Sequence, residues 1–234
     1  MKTAILNRSQ LRSIYIQCQD RCRTFIQDFN TDHEPEVILI RHDVDDDLYK
    51  SVKNAELQNE LGVCATYFIL NTAPYWKADS KEMWDAIRTI QSLGHEIGWH
   101  NNILSEMIRC KYKPSELEEK INDLIWLFTL NDIRVHGSAS HGDPLCYEYG
   151  FVNYEVFKGM DYQRKENDRI GERKINFNPV LMSDVLLDYE AYHIPYDVYY
   201  SEPGGSWNSL GYPKPNDHPD KRIQILIHPQ WHEL

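Results

Sequence analysis

The chain lacks most of what marks a secreted, membrane-spanning or nucleic-acid-binding protein. Its five cysteines (positions 18, 22, 64, 110 and 146) are odd in number and scattered, with no Cys-x-x-Cys pair. A disulfide framework is therefore not expected. Cys18 and Cys22 stand four apart on a predicted helix, where ordinary packing explains them better than a metal clip. No apolar run approaches the length of a membrane span, and Ala4-Ile5-Leu6 is too short for a signal-peptide core. No Lys/Arg run offsets the formal net charge of -11, so the phosphates of nucleic acid or of an anionic membrane would be repelled. Internal repeats and low-complexity linkers are missing too. What remains is a 234-residue chain, long enough for a full core and read as one domain. A soluble, acidic, cytoplasmic globular protein is expected.

What is present is organised around Val37-Ile38-Leu39-Ile40-Arg41-His42-Asp43-Val44-Asp45-Asp46-Asp47. Four apolar residues, three of them β-branched, read as a buried strand of a parallel sheet. The strand runs into a His and four Asp. Carboxylates are not buried without a partner, so the chain must emerge at the strand's carboxyl end, where α/β sheets and barrels place their sites. Asp46 and Asp47 precede a helical pattern and are expected to cap it. Asp43 and Asp45 lie before any helical turn and are candidate site groups.

Elsewhere the pattern alternates. A 3.6-residue period through Leu11, Ile14, Tyr15, Cys18, Cys22, Phe25, Ile26 and Phe29 predicts one N-terminal helix over residues 7–29. A helix from Leu48 ends at Gly62, a strand covers Cys64–Leu70, and Asp79 with Glu82 predicts a capping box for a helix ending before Gly94. His95–Trp99 is a strand ending at His100. Ser115 with Glu118 predicts a second capping box, and Ile133–His136 is a strand followed by the loop Gly137–Pro144. Tyr147–Tyr192 shows no clear period, with only short candidates at Phe151–Phe157 and Val185–Leu187. Strands follow at Tyr196–Tyr200 and Ile223–Ile227, the last ending at His228. The expectation is an α/β fold, an irregular barrel of mostly parallel strands.

Four predicted strands thus end in ionisable groups: Asp43/Asp45, His100, His141 a short loop beyond its strand, and His228. In a parallel barrel all carboxyl ends open on one face, so these residues can converge. Imidazole and carboxylate suit zinc and its relatives. His95-Glu96 with His100 resembles a metalloprotease helix motif but has one residue too many, and Gly94 and Gly98 disfavour a helix. As a strand it points Glu96, Gly98 and His100 one way and His95, Ile97 and Trp99 the other. His95 and Glu96 are then structural.

Ile40-Arg41-His42-Asp43-Val44-Asp45, Leu61-Gly62-Val63-Cys64-Ala65-Thr66-Tyr67-Phe68 and Gly94-His95-Glu96-Ile97-Gly98-Trp99-His100 resemble, in order and spacing, polysaccharide deacetylases of the NodB-homology type. The subgroup with "RHDVD" in place of "TFDDG" is the nearer likeness. Ser140–Pro144, Tyr200–Trp207 and Leu226–Trp231 are similar to its later segments, so the resemblance covers residues 36–232. It implies a distorted, seven-stranded (β/α) barrel that uses a divalent metal, zinc or another first-row ion, to hydrolyse an amide, most often the N-acetyl group of a sugar or glycan precursor. It implies Asp43 as general base, Asp45 and His100 as metal ligands, and His228 as general acid. A second His is normal four residues after the first, and here that place is Leu104. His141 is the best third ligand, ahead of Asn101 and Asn102. Trp99, Trp207 and Trp231 are candidates to stack on a sugar ring, although core or rim packing accounts for each.

Two other readings stand beside this one. The missing His at Leu104 admits a decayed deacetylase barrel serving as a glycan-binding or scaffold protein. Asp43-Val44-Asp45 after an apolar strand fits a phosphatase of the haloacid-dehalogenase type, but Asp47 stands where Thr or Val belongs and no later Gly-Asp-x-x-x-Asp follows.

Overall fold

The computed structural model describes residues 5–31, 33–166 and 168–234. Asn7 starts helix α1 (Arg8–Ile16): its side chain accepts from Gln10 N–H while the Gln10 side chain accepts from Asn7 N–H, a capping box. The helix does not run on to residue 29. The chain turns, lays the two residues of β1 (Cys22–Arg23) against the sheet, and restarts as α2 (Phe25–Asn30). A second capping box, Thr24 with Gln27, makes the new start. The expected single helix is thereby corrected. Its apolar period was genuine, since Leu11, Ile14, Tyr15, Cys18, Cys22 and Phe25 are all buried, but different elements bury them.

From there strands and helices alternate: β2 (Ile38–Val44), α3 (Leu48–Glu60), β3 (Thr66–Ile69), α4 (Lys81–Ser92), β4 (Glu96–Asn101), α5 (Ile103–Cys110), α6 (Leu117–Leu130), β5 (Val135–Ser140) and α7 (Pro144–Tyr149). Short strands β6 (Tyr189–Glu190) and β7 (Val198–Ser201) precede the last, β8 (Ile223–Ile227). Caps differ in detail from expectation. Asp47 caps α3, accepting from Lys50 N–H at 2.9 Å, whereas Asp46 is exposed and caps nothing. Ser80, not Asp79, caps α4. Before α6 the expected Ser115–Glu118 box is replaced by the 3₁₀ turn Pro114–Glu116. Gly62 and Gly94 end α3 and α4 with φ of +66° and +89°, a region costly for other residues.

All strand pairings are parallel. The order β6-β5-β4-β3-β2-β8-β7 curls into a half-barrel of seven strands, with β1 added on β2. This is the distorted α/β barrel expected. Along β2 the side chains alternate: Leu39 joins the small inner apolar cluster, while Ile38, Ile40 and Val44 join the large cluster under the helices. That alternation turns Arg41 and Asp43 inward and His42 outward. His42 is fully buried beneath α3, stacked on Tyr67 with centroids 4.4 Å apart and accepting from Gln58 Nε2 at 3.0 Å.

The inner wall requires small residues. A Cβ on Gly98 would lie 2.4 Å from the Phe68 ring, and one on Gly137 would lie 2.2 Å from the Tyr189 ring. This explains why β5 runs through Gly137-Ser138-Ala139-Ser140, which composition alone reads as a loop. Helix α2 plugs the amino ends of the strands. Phe25 stacks on Tyr189 and meets the Phe68 edge, both at 5.7 Å. Its first free N–H groups go to the barrel wall: Phe25 N–H to Thr66 Oγ1 and Ile26 N–H to Glu96 Oε2, each at 3.0 Å. Tyr147–Tyr192 is mostly loop and 3₁₀ turn. The expected elements there become turns at Asn153–Val156 and Met182–Val185, and the strand β6 begins only at Tyr189. Buried Glu155 pins the stretch by accepting from Arg164 at 3.1 Å and from Arg173.

Candidate metal centre

The carboxyl ends of β2, β4, β5 and β8 bring the predicted site residues together. Asp45 follows β2 directly, His100 lies in β4, and His141 follows β5 with no intervening loop because β5 is longer than predicted. His228 follows β8. His100 Nε2 lies 3.2 Å from Asp45 Oδ1 and 3.1 Å from His141 Nδ1, and His141 Nδ1 lies 3.5 Å from Asp45 Oδ1. These three residues could hold a metal ion. Ligand atoms at zinc-bond lengths on a tetrahedral ion sit roughly 3.3–3.4 Å apart, and the three observed separations straddle that value.

Two further observations fit a cation. His100 Nδ1–H donates to the Ala139 carbonyl at 2.7 Å, which leaves the Nε2 lone pair facing the cluster. Asp45 Oδ1 is buried and accepts no hydrogen bond from the described residues; a bare carboxylate oxygen is costly there unless a cation meets it. Burial pushes the Asp45 carboxyl up, but the imidazoles of His100, His141 and His228 more than offset this and hold it well below the usual carboxylate range.

The expected second His has no counterpart. Leu104 is fully buried in the main core, and its N–H is taken by Asn153 Oδ1 at 3.0 Å. The weaker third-ligand candidates have their carboxamide oxygens engaged: Asn101 Oδ1 accepts from Ile103 N–H at 3.1 Å, and Asn102 Oδ1 accepts from Asn153 Nδ2 at 3.2 Å. Among the described residues it is His141 that groups with Asp45 and His100. Asn153 itself escaped the sequence reading because it lies in the stretch with no periodicity.

Asp43 and His228 flank the three ligand candidates, each held by a partner of opposite charge. Arg41 Nε and Nη2 donate to the two Asp43 oxygens at 2.6 and 2.7 Å. Burial raises the Asp43 carboxyl, and Arg41 foremost brings it below its ordinary value. Arg41 is itself fully buried, with its guanidinium 4.6 Å from the Tyr192 ring centroid. His228 Nε2 lies 3.6 Å from Asp45 Oδ2 and 4.0 Å from Asp43 Oδ2, and its Nδ1 lies 3.2 Å from Glu202 Oε1. Burial alone would lower the His228 imidazole; the Glu202 hydrogen bond, with the carboxylates of Asp43 and Asp45, lifts it to about 9. Glu202 and Arg41 lie inside the segments Tyr200–Trp207 and Ile40–Asp45, where the sequence assigns them no role. Only packing shows that one grips the acid candidate and the other the base candidate.

Trp99 is fully buried, donating to Asn71 Oδ1 at 2.9 Å, and is a core residue. Trp207 is half-buried beside Tyr212, and exposed Trp231 covers Gly205. His95 donates from Nε2 to the Ala55 carbonyl and Glu96 holds Tyr189, Thr66 and α2, so both are structural. A cleft of about 350 Å³ adjoins the cluster, walled by Asp45 and His141 on one side and by Thr72, Glu106 and Arg109 on the other. A cavity of about 830 Å³ lies elsewhere, between α6 and Leu186, and includes none of the cluster residues. Among the described residues no helix is long and apolar enough to cross a membrane. Comparison with protein-family models and with curated proteins returned no match.

Proposed function

We propose that the chain is a metal-dependent amidohydrolase that removes an acyl group, most simply acetyl, from an N-acylated sugar or glycan precursor, in line with the polysaccharide deacetylases it resembles. The observation that carries this reading is the grouping of Asp45, His100 and His141 with a clamped carboxylate, Asp43, and an imidazole raised in basicity, His228, on either side. A divalent ion, when bound, polarises a carbonyl and makes water acidic enough to attack near neutral pH. The chain's own residues divide the proton work. Asp43, its plane fixed by Arg41, takes the proton of the attacking water. His228, its Nδ1–H held by Glu202, gives its Nε2 proton to the departing amine. Water is consumed, and an amine and a carboxylate leave. The cleft beside Asp45 and His141 is the place for the sugar; Trp207, packed on the main core, and Trp231, against Gly205, are not among the residues that line it.

The scaffold reading rested on Leu104, and His141 removes its motive by offering a third ligand. The phosphatase reading is disfavoured by Asp47, which stands where Thr or Val belongs, and by the lack of a later Gly-Asp-x-x-x-Asp.

The test is acetate release from N-acetylated oligosaccharides by the protein reconstituted separately with zinc, cobalt and manganese. Asp43→Asn is expected to lower turnover roughly 10²- to 10⁴-fold while the metal content stays at one ion per chain. A protein that retains no metal after reconstitution, or an Asp43→Asn variant with full turnover, would sink the proposal.

A further inference from the structure

At the opposite end of β2 from the histidines lies a second reactive pair that the proposed hydrolysis does not use. β8 occupies one edge of β2 from Ile38 to His42. β3 occupies the other edge from Arg41 onward, so β1, paired at Ile38 and Leu39, must share that edge and meet β3 end to end. Cys22 in β1 and Cys64 just before β3 face one another at this junction. Their sulfurs are 3.7 Å apart, and Cys64 N–H points at Cys22 Sγ at 3.4 Å. Both thiols are free. They open on a cleft of about 590 Å³, whose wall also carries Arg23 and Gln27.

We propose that Cys22 and Cys64 are a peroxide-oxidisable dithiol, closing to a disulfide that staples β1 to the start of β3. The sulfur separation must shrink to about 2.05 Å, by rotation of the two side chains. The electronics favour Cys22 as the first to react. The S–H of Cys64 donates to its sulfur and, against the effect of burial, lowers the Cys22 thiol, while the same contact raises Cys64. Cys18, by contrast, is fully buried and raised by that burial. The Cys22 thiolate attacks one oxygen of a hydroperoxide; the O–O bond breaks, and the leaving oxygen departs as water or alcohol after taking a proton. Cys64 then attacks the sulfenic sulfur; the S–S bond forms, the S–O bond breaks, and the Cys64 proton leaves with hydroxide as water. Two thiols lose two electrons and one peroxide gains them.

The experiment uses the full-length protein, reduced, freed of reductant and treated with a slight excess of hydrogen peroxide. The expected product is lighter by about 2 Da, and its proteolytic map contains a peptide linking Cys22 to Cys64 that dithiothreitol releases. Because the bond closes the chain between residues 22 and 64, the thermal midpoint is expected to rise by roughly 5–10 °C. Cys22→Ser and Cys64→Ser are each expected to abolish the mass loss, whereas Cys110→Ser, which removes the exposed thiol, leaves it intact. Retention of all five thiols, a cross-link mapped to other cysteines, or dioxygenation of Cys22 with Cys64 still a thiol would overturn the proposal. Should a serine variant fail to fold, the wild-type peptide map alone decides.

Discussion

The two ends of the half-barrel are made from the same strands and solve opposite problems. At the amino ends, most buried polar groups are used up internally, although Asp28 Oδ1 and His95 Nδ1 have no hydrogen-bond partner among the described residues. Glu96 accepts from Tyr189, Thr66 and the backbone of α2, and an aromatic stack of Phe25, Tyr189 and Phe68 seals the space. At the carboxyl ends, buried polar groups are left over. Asp45 Oδ1, Arg41 Nη1, Glu202 Oε2 and His232 Nε2 are all buried without a hydrogen-bond partner among the described residues. A satisfied end stabilises the fold, and an unsatisfied one costs stability unless something binds there. Alternation within β2 carries that gradient, from Leu39 through Arg41 to Asp43 on one face.

The comparison breaks most directly at Phe25. Phe25→Ala is expected to cost roughly 3–5 kcal/mol of stability, read from the urea midpoint, with metal affinity measured by calorimetry unchanged. A large loss of affinity in a folded variant would mean that the two ends are not independent. His100→Ala should do the reverse. Metal affinity falls about 100-fold or more as one of three ligands goes, while the metal-free protein melts close to the wild type.

Acid sharpens the same contrast, because the histidines that decide stability are not those of the cluster. Burial lowers His42 to about 3 and His95 to about 4. The unfolded chain therefore takes up protons below pH 6.5 while the folded chain does not, and stability falls as pH drops from about 6.5 towards 4. With two such groups the expected loss is on the order of 5 kcal/mol, checked by denaturant titration at pH 7 and pH 4.5. A flat profile would show that these imidazoles are already charged in the fold. The smallest effect is expected at Asp47→Ala, about 1 kcal/mol for loss of the α3 cap, with Asp46→Ala near zero. Equal losses would overturn the assignment of the cap to Asp47 alone.

Sequence reading reached the site more surely than it reached the elements between. Asp43, Asp45, His100 and His228 are legible because each ends an apolar run, and a polar group at that place must face the barrel mouth. The third ligand was legible as His141, but its place was set a loop too far, since Gly137-Ser138-Ala139-Ser140 carries no strand signal. Gly137 is there to admit the Tyr189 ring, a requirement no local pattern contains. The N-terminal break at Thr24 was hidden for a similar reason: burial by three different elements happened to keep one helical period.

By itself the sequence determined the alternation of strands and helices, the parallel sheet and the set of ionisable strand ends, because side-chain period and hydrophobic burial are local properties. Tertiary structure alone decided which groups those ends would touch. It put Arg41 on Asp43, Glu202 on His228 and His141 beside Asp45 and His100, since contacts between distant strands depend on sheet order and curl rather than on spacing along the chain.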